Sequence, residues 1–419
     1  MNPVRNSKTK HFHHNIKLRK KQRKISNGVK INTSPKKIKE ALTTRVKEVI
    51  NRQCLEKRLK SGKKLRIKFG VDPSRPDIHL GHVVPLKKLQ EFQQLGHRVV
   101  FLIGDFTARI GDPSGRSKTR PQLSKKEVEK NTQTYLDQVK KVIDIKKIEI
   151  RRNSEWYDKL NSDDFIKLIS KVTLAQVLAR DDFQKRLKSG IDIYPHEILY
   201  PILQAYDSII IKADIELGGT DQKFNMLMGR TLQKRFNQPR QDVITVPLLI
   251  GLDGKKKMSK SFNNYIGVTE SPQTQYGKIM SIPDKLIKEY LELCTKVSWE
   301  KVKNLLPREI KAMLAREIVA LFYNREESNK TEEEFNRVFK EKKLPIKIPQ
   351  IKIKRKSLNI LELLVKTKLA SSKSEAKRLI LQKGVKINNE VQEDWQKVVQ
   401  IKKGMVIQVG KRKFFKIIY

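Results

Sequence analysis

Apolar positions recur along the chain with two periods, and the changes from one to the other divide it into elements. Ile38, Leu42, Val46, Val49 and Ile50 have helical spacing, which predicts one amphipathic helix over 38–59. Residues 65–71 alternate as a strand. A proline-bearing loop follows, and then a helix over 79–95 with Val83, Leu86, Leu89, Phe92 and Leu95 on one face and Gly96 at its end. A second apolar strand is expected at 98–104. Strand, helix and strand in this order predict a parallel pair with a right-handed crossover. Ser124 and Glu127 form the capping-box pattern of another helix start. Further strands are expected at 147–151, 213–217 and 243–252, and helices at 163–171, 174–187 and 194–207, with a last one ending near Phe236. Residues 273–339 read as helical, with Leu286, Tyr290, Leu291 and Leu293 grouped on one face. A basic linker, 342–356, leads to helices at 360–364 and 374–382 and strands at 385–388, 405–409 and 414–417. No internal repeat is visible.

The polar residues that interrupt this pattern fall where chemistry is expected. His79-Leu80-Gly81-His82 stands at a helix N-terminus, beyond the carboxyl end of a strand. Nucleotides bind in that crevice of open α/β sheets, and a helix N-terminus favours anions. Lys257-Met258-Ser259-Lys260-Ser261 follows an apolar run and a turn at Asp253-Gly254. Its lysines reach a polyphosphate from one side, and its serines add hydroxyl hydrogen bonds. A basic loop is commonly a solvated turn, and two histidines on a helix are commonly surface residues. Only the two together, in this order, single out a nucleotide site. Tyr200, Gln204 and Asp207 are spaced four and three apart, on one face of a helix. A Gln and an Asp facing an apolar stripe need partners, and a ligand would supply them.

Composition changes the picture in one respect. The 419 residues, 38% of them hydrophobic, allow about two to four domains with real cores. Against that, the formal charge of +46 calls for a polyanionic partner, with nucleic acid first. Part of the excess is solvated helix face mixed with Glu, as in 125–130. Residues 1–35 hold no acidic side chain; Glu40 is the first. This stretch is expected to be a disordered basic extension. Its histidines, His11, His13 and His14, have no partner cluster for a metal. Two cysteines, Cys54 and Cys294, form no CxxC pair, which fits a reducing cytoplasm. No run reaches the ~18 apolar residues of a membrane span, and no secretory leader pattern is present.

These signatures resemble the "HIGH" and "KMSKS" motifs of class I aminoacyl-tRNA synthetases. The stretch 65–268 is similar to bacterial tyrosyl-tRNA synthetase, more loosely to about residue 342. The resemblance implies an α/β fold: a Rossmann-like nucleotide-binding catalytic domain (36–268), an α-helical anticodon-side domain (269–342), a linker (343–356) and a small α+β RNA-binding domain of the S-four type (357–419). It implies tyrosine activation by ATP, with magnesium arriving with ATP and no protein-bound metal, then transfer to the terminal adenosine of tRNA(Tyr). His79, His82, Lys257 and Lys260 are the implied catalytic residues. Asp72, Ser74, Gly81, Asp221, Met258 and Ser259 join them around ATP. Arg116 and Arg120 match a second set of mobile cations for pyrophosphate, Arg116 where lysine is common. Asp207 is implied to accept the phenol hydroxyl. Tyr200, Gln204 and Asp112 would hold the α-ammonium, and Gln222 would orient the substrate. Lys377, Arg378, Lys411, Arg412 and Lys413 would meet RNA phosphates. A homodimer is implied, with its interface near 172–188. One position departs: where a well-known branch has tyrosine, helping to bind the phenol, this chain has Lys68. Tryptophan–tRNA ligase, of the same fold and chemistry, is the nearest alternative. A catalytically inactive paralogue acting as an RNA-binding factor is the second.

Overall fold

The computed structural model describes residues 30–114, 123–341, 344, 348–410 and 413–418. Of the expected basic extension, residues 1–29 lie outside this description. Residues 30–35 do not fit the expectation of disorder. The Asn32 amide donates to the Leu95 carbonyl at 2.9 Å, and Pro35 opens a helix, Pro35–Thr43. Gly96 permits this docking: its φ is +91°, and a Cβ there would lie 2.9 Å from the Lys30 carbonyl oxygen.

The chain forms two compact units, the first ending at Ser328 and the second beginning at Asn329. The first is built on a six-stranded sheet. Its strands are β1 (Glu48–Ile50), β2 (Arg66–Val71), β3 (Arg98–Ile103), β4 (Glu149–Arg152), β5 (Ile215–Gly219) and β6 (Asp242–Val246), in the order β1-β6-β5-β2-β3-β4. All neighbours are parallel except β1 and β6. Crossing from β2, the chain builds outward through β3 and β4, then returns to build β5 and β6 on the other side. The reversal falls between β2 and β5, the place where doubly wound sheets open a crevice at their carboxyl ends.

The helix expected over 38–59 is instead a helix, a strand and a second helix, Arg52–Lys60. Arg45 and Asn51 adopt φ of 56° and 59°, which breaks helical continuity on both sides of β1. Pairing with β6 satisfies the backbone in its place. The helix expected over 174–187 is likewise two, Leu174–Leu178 and Asp181–Lys188. Arg180 sits at the break, its guanidinium held by Asp182 at 2.7 Å and lying over the Phe183 ring. The helical segment expected as its own domain, 269–342, divides: as far as Ser328 it belongs to the compact unit of the sheet. Tyr290 and Leu291 are fully buried, and the Tyr290 hydroxyl donates to the Ile250 carbonyl at 2.6 Å.

The second unit has a five-stranded sheet made of β7 (Gln350–Lys352), β9 (Val385–Ile387), β10 (Glu390–Val391), β12 (Val406–Val409) and β13 (Lys413–Ile418), and a two-stranded one of β8 (Ser357–Asn359) and β11 (Val398–Gln400). Helices Ile360–Lys366 and Lys373–Leu381 cover a core containing Ile360, Leu363, Ile380, Ile407 and Ile417. The expected linker, 343–356, is therefore not all linker: β7 pairs in parallel with β13, and Ile353 is fully buried.

Candidate functional site

The helix Leu80–Gln94 begins at His79, whose extended backbone (φ −127°, ψ 173°) turns the chain into it. The His79 amide donates to His82 Nδ1 at 3.2 Å, and the two rings lie 4.0 Å apart between centroids. Gly81 makes room for this packing: a Cβ would stand 3.1 Å from the His79 ring. Burial, helped by the neighbouring imidazole and by Lys260, pushes His79 well below the usual histidine range. Burial also brings His82 down to about 4, with Lys260 adding to the shift. Both rings are therefore neutral at physiological pH. As neutral rings they can offer an anion hydrogen bonds but no positive charge. His79 Nδ1 is buried against Gly81, with no hydrogen-bond partner among the described residues.

The lysine loop is stitched to that helix start. The Leu80 amide donates to the Ile266 carbonyl at 2.9 Å, the Val268 amide donates to Ile78 at 3.2 Å, and His79 pairs with Gly267 as a β-bridge. The loop itself is shaped by Asn264. Asn264 Oδ1 accepts from the Ser259 amide at 2.8 Å, and its Nδ2 donates to Asp253 at 2.8 Å and to the Lys257 carbonyl at 3.2 Å. Met258 is buried, anchoring the loop between its two lysines. Lys257 Nζ lies 2.8 Å from Asp221, while Lys260 is paired with Asp77.

These pieces enclose one cleft of about 530 Å³. His79, Gly81, His82, Asp72, Ser74, Lys257, Met258 and Ser259 line it, as do Asp112, Tyr200, Gln204, Asp207, Asp221 and Gln222. Lys260 is not in its wall, because its ammonium is turned onto Asp77. Arg116 and Arg120 lie outside the described residues. Among the described residues, no group of three or more His, Cys, Asp or Glu side chains is placed to hold a metal ion.

At the cleft's inner end the polar groups interlock. The Tyr200 hydroxyl donates to Asp72 Oδ2 and the Thr107 hydroxyl to Asp72 Oδ1, each at 2.8 Å. Gln222 Nε2 donates to Asp112 at 2.8 Å, and Asp112 also accepts from the Ser114 amide at 2.9 Å. Asn225 Nδ2 reaches Gln204 Oε1 at 2.9 Å and Gln222 Oε1 at 3.1 Å. Asp207 accepts from the Trp156 indole at 3.0 Å and from Asn153 at 3.4 Å. Burial raises its pKa to about 7, opposed first by the nearby Lys68. Thr107, Asn153, Trp156, Asn225 and Glu216 went unread in the sequence. None falls in a motif, and each is tied to the site by contacts 12 or more positions distant.

In the second unit, Lys377 and Arg378 are exposed on the helix Lys373–Leu381, and Lys413 opens β13. Lys377 Nζ stands 3.9 Å over the Trp395 ring. The Glu375 carboxyl is held below its usual range first by hydrogen bonds from Ser371 and then by the charges of Lys413 and Arg378, which puts both cations in one neighbourhood. Lys411 and Arg412 lie outside the described residues.

Comparison with known proteins adds to this geometry. Residues 60–340 match the family described as tRNA synthetases class I (W and Y), and residues 340–417 match a Tyrosine--tRNA ligase SYY-like C-terminal domain. A tyrosine–tRNA ligase of Thermotoga maritima is 49% identical over 92% of this chain and 98% of its own length. One from Carboxydothermus hydrogenoformans is 50% identical over 87% of this chain and 92% of its own. A C-terminally truncated mitochondrial tyrosyl-tRNA synthetase of Aspergillus nidulans shares the fold, with a TM-score of 0.61 at 22% identity, covering 78% of this chain and 99% of that one.

Proposed function

Since the chain belongs to the bacterial-type tyrosyl-tRNA synthetases of class I, we propose that the cleft between its histidine helix and its lysine loop is where tyrosine meets ATP. The enzyme ligates tyrosine to tRNA. The first step is attack of the amino-acid carboxylate on the α-phosphate of ATP, with pyrophosphate leaving. No protein nucleophile is needed; the cleft aligns the reactants and stabilises charge on the phosphates. In this reading His79 and His82 donate hydrogen bonds to the phosphates, and Gly81 leaves room for adenine. Lys257 and Lys260 exchange Asp221 and Asp77 for the departing pyrophosphate. Asp221, once freed, takes the ribose. Magnesium comes in on the phosphates, consistent with its preference for phosphate and water ligands.

The amino acid would lie along the helix Pro195–Ile211, its ammonium near Tyr200, Gln204 and Asp112 and its phenol on Asp207. The observation that carries this is Asp207: a buried carboxylate in the cleft wall, with an indole and an amide fixing its other contacts. A phenol hydroxyl gives it one more hydrogen bond; a plain phenyl ring gives it none and forgoes that contribution. The basic face of the second unit would hold tRNA(Tyr) by phosphate contacts. Exposed Ile166, Leu174, Leu187, Ile191 and Tyr194 supply an apolar face for a homodimer. No described helix is long and apolar enough to cross a membrane, and the cytoplasm holds the ATP and tRNA that the reaction uses.

Amino-acid-dependent exchange of pyrophosphate into ATP tests the reading. Exchange is expected with tyrosine. Exchange with tryptophan alone, or tight RNA binding with no adenylate at saturating ATP and tyrosine, overturns it.

A further inference from the structure

Lys68 and Glu216 stand directly opposite each other on the neighbouring parallel strands β2 and β5. Their side chains are 0% and 2% exposed and 2.8 Å apart. Lys68 Nζ also donates to the Gln204 carbonyl and to the Ser208 hydroxyl, each at 2.8 Å. An ammonium has three protons, and all three are used. Lys68 lines the cleft yet has no donor left for a substrate oxygen, so it is not a stand-in for a phenol ligand. It acts on the helix instead. Gln204 and Ser208 are one turn apart and flank Asp207. Glu216 completes the grip, accepting from Gln204 Nε2 at 3.3 Å, from Ser208 Oγ at 3.1 Å and from Gln241.

We propose that Lys68 is a positioning residue for amino-acid selection: its clamped ammonium fixes the turn that presents Gln204 and Asp207, and adds positive charge on the side of the carboxyl that accepts the phenol. This rests on reading the cleft as a tyrosine site. The groups around Asp207 bear it out. Trp156 and Asn153 donate neutral hydrogen bonds. Tyr157, from the same short helix as Trp156, is a phenol held well above its usual range by burial, so it stays neutral. Glu216 lies beyond Lys68, and Asp72 is engaged by Tyr200 and Thr107. Among the described residues, Lys68 is thus the cation acting on Asp207, whose burial otherwise favours the protonated acid. The sign follows: a protonated Asp207 is the weaker acceptor, so tyrosine use rises with pH through its titration, and losing Lys68 moves that rise upward.

The test is tyrosine-dependent pyrophosphate exchange between pH 6 and 9, with Lys68→Met and the double variant Lys68→Met/Glu216→Gln. The double variant removes the buried pair together, which proteins tolerate better than a single unpaired charge, so it carries the test should the single variant not fold. Both are expected to raise the tyrosine KM about tenfold at pH 7, to shift the pH midpoint upward by about one unit, and to leave the ATP KM within about twofold. Lys68→Arg, which keeps the charge, should keep the midpoint. A double variant with the unaltered enzyme's KM and midpoint means that Lys68 only neutralises Glu216, and overturns the proposal. So does a rise in KM with no movement of the midpoint. Absence of tyrosine-dependent exchange in the unaltered enzyme would instead refute the reading of the cleft itself.

Discussion

Lys257 Nζ lies 2.8 Å from Asp221 Oδ2, so the first lysine of the loop rests on a carboxylate of the same cleft. Both side chains are partly exposed, and such a pair is worth at most about 1 kcal/mol. In the proposed reading ATP would displace it cheaply, and the lysine's larger contribution would come when charge builds on the departing pyrophosphate. Lys257→Ala should lower the single-turnover rate of adenylate formation by about a hundredfold while changing the ATP dissociation constant only a few-fold. Rapid-quench measurement across ATP concentrations separates the two, and an effect confined to ATP affinity speaks against the assignment.

Lys260 is held by Asp77 and must leave it to reach phosphate. Asp77→Asn should then leave ATP affinity unchanged or tighten it by up to about fivefold, the size of an exposed pair. Equilibrium ATP binding measures this; a marked loss of affinity would mean that Asp77 acts on the nucleotide directly.

His97 is buried, its Nε2 has no protein partner, and burial brings its pKa down to about 4. In the unfolded chain it titrates near 6.5. The folded-state value is the lower one, so its contribution is present above pH 6.5 and is lost as pH falls from there through about 4. The full effect is roughly 3 kcal/mol. The Tm should fall as pH drops from 7 to 5, and His97→Asn should show a shallower fall than the unaltered protein. Parallel slopes would remove His97 from the account.

Leu174 and Ile166 are each 59% exposed, and in the proposed homodimer they would be covered by the second copy. Ile166→Asp with Leu174→Asp should convert a dimer to a monomer in light scattering. A double variant that elutes unchanged would place the interface elsewhere.

In the second unit, Lys377→Ala with Arg378→Ala should weaken tRNA binding and reduce the slope of log affinity against log salt by about two. A weaker affinity with an unchanged slope would mean lost packing against Trp395 rather than lost phosphate contacts.

The strand–helix–strand around His79 was legible because its apolar periods are clean and its ends are marked by Gly96 and the polar loop. The segment 38–59 misled for the opposite reason. Its helical spacing is genuine, yet Val49 and Ile50 gain more from pairing with Ile244 and Val243 on β6 than from continuing a helix, a tertiary preference no local pattern carries. Within the site, motif residues such as Gly81 could be read directly, since each is required by a neighbour a few positions away. Lys68 could be read only as a departure from the family, because its partner Glu216 lies 148 positions on.

The parallel pairing of β7 with β13 bears on anyone dissecting the molecule. The Lys416 amide donates to the Pro349 carbonyl at 2.8 Å, and Ile351 lies opposite Ile417. A fragment begun at Ser357, where the sequence alone invites a cut, would strip the outer row from its sheet and leave the chain's final strand as a bare adhesive edge. Such a fragment should clump at concentrations where one begun ahead of Pro349 stays dispersed.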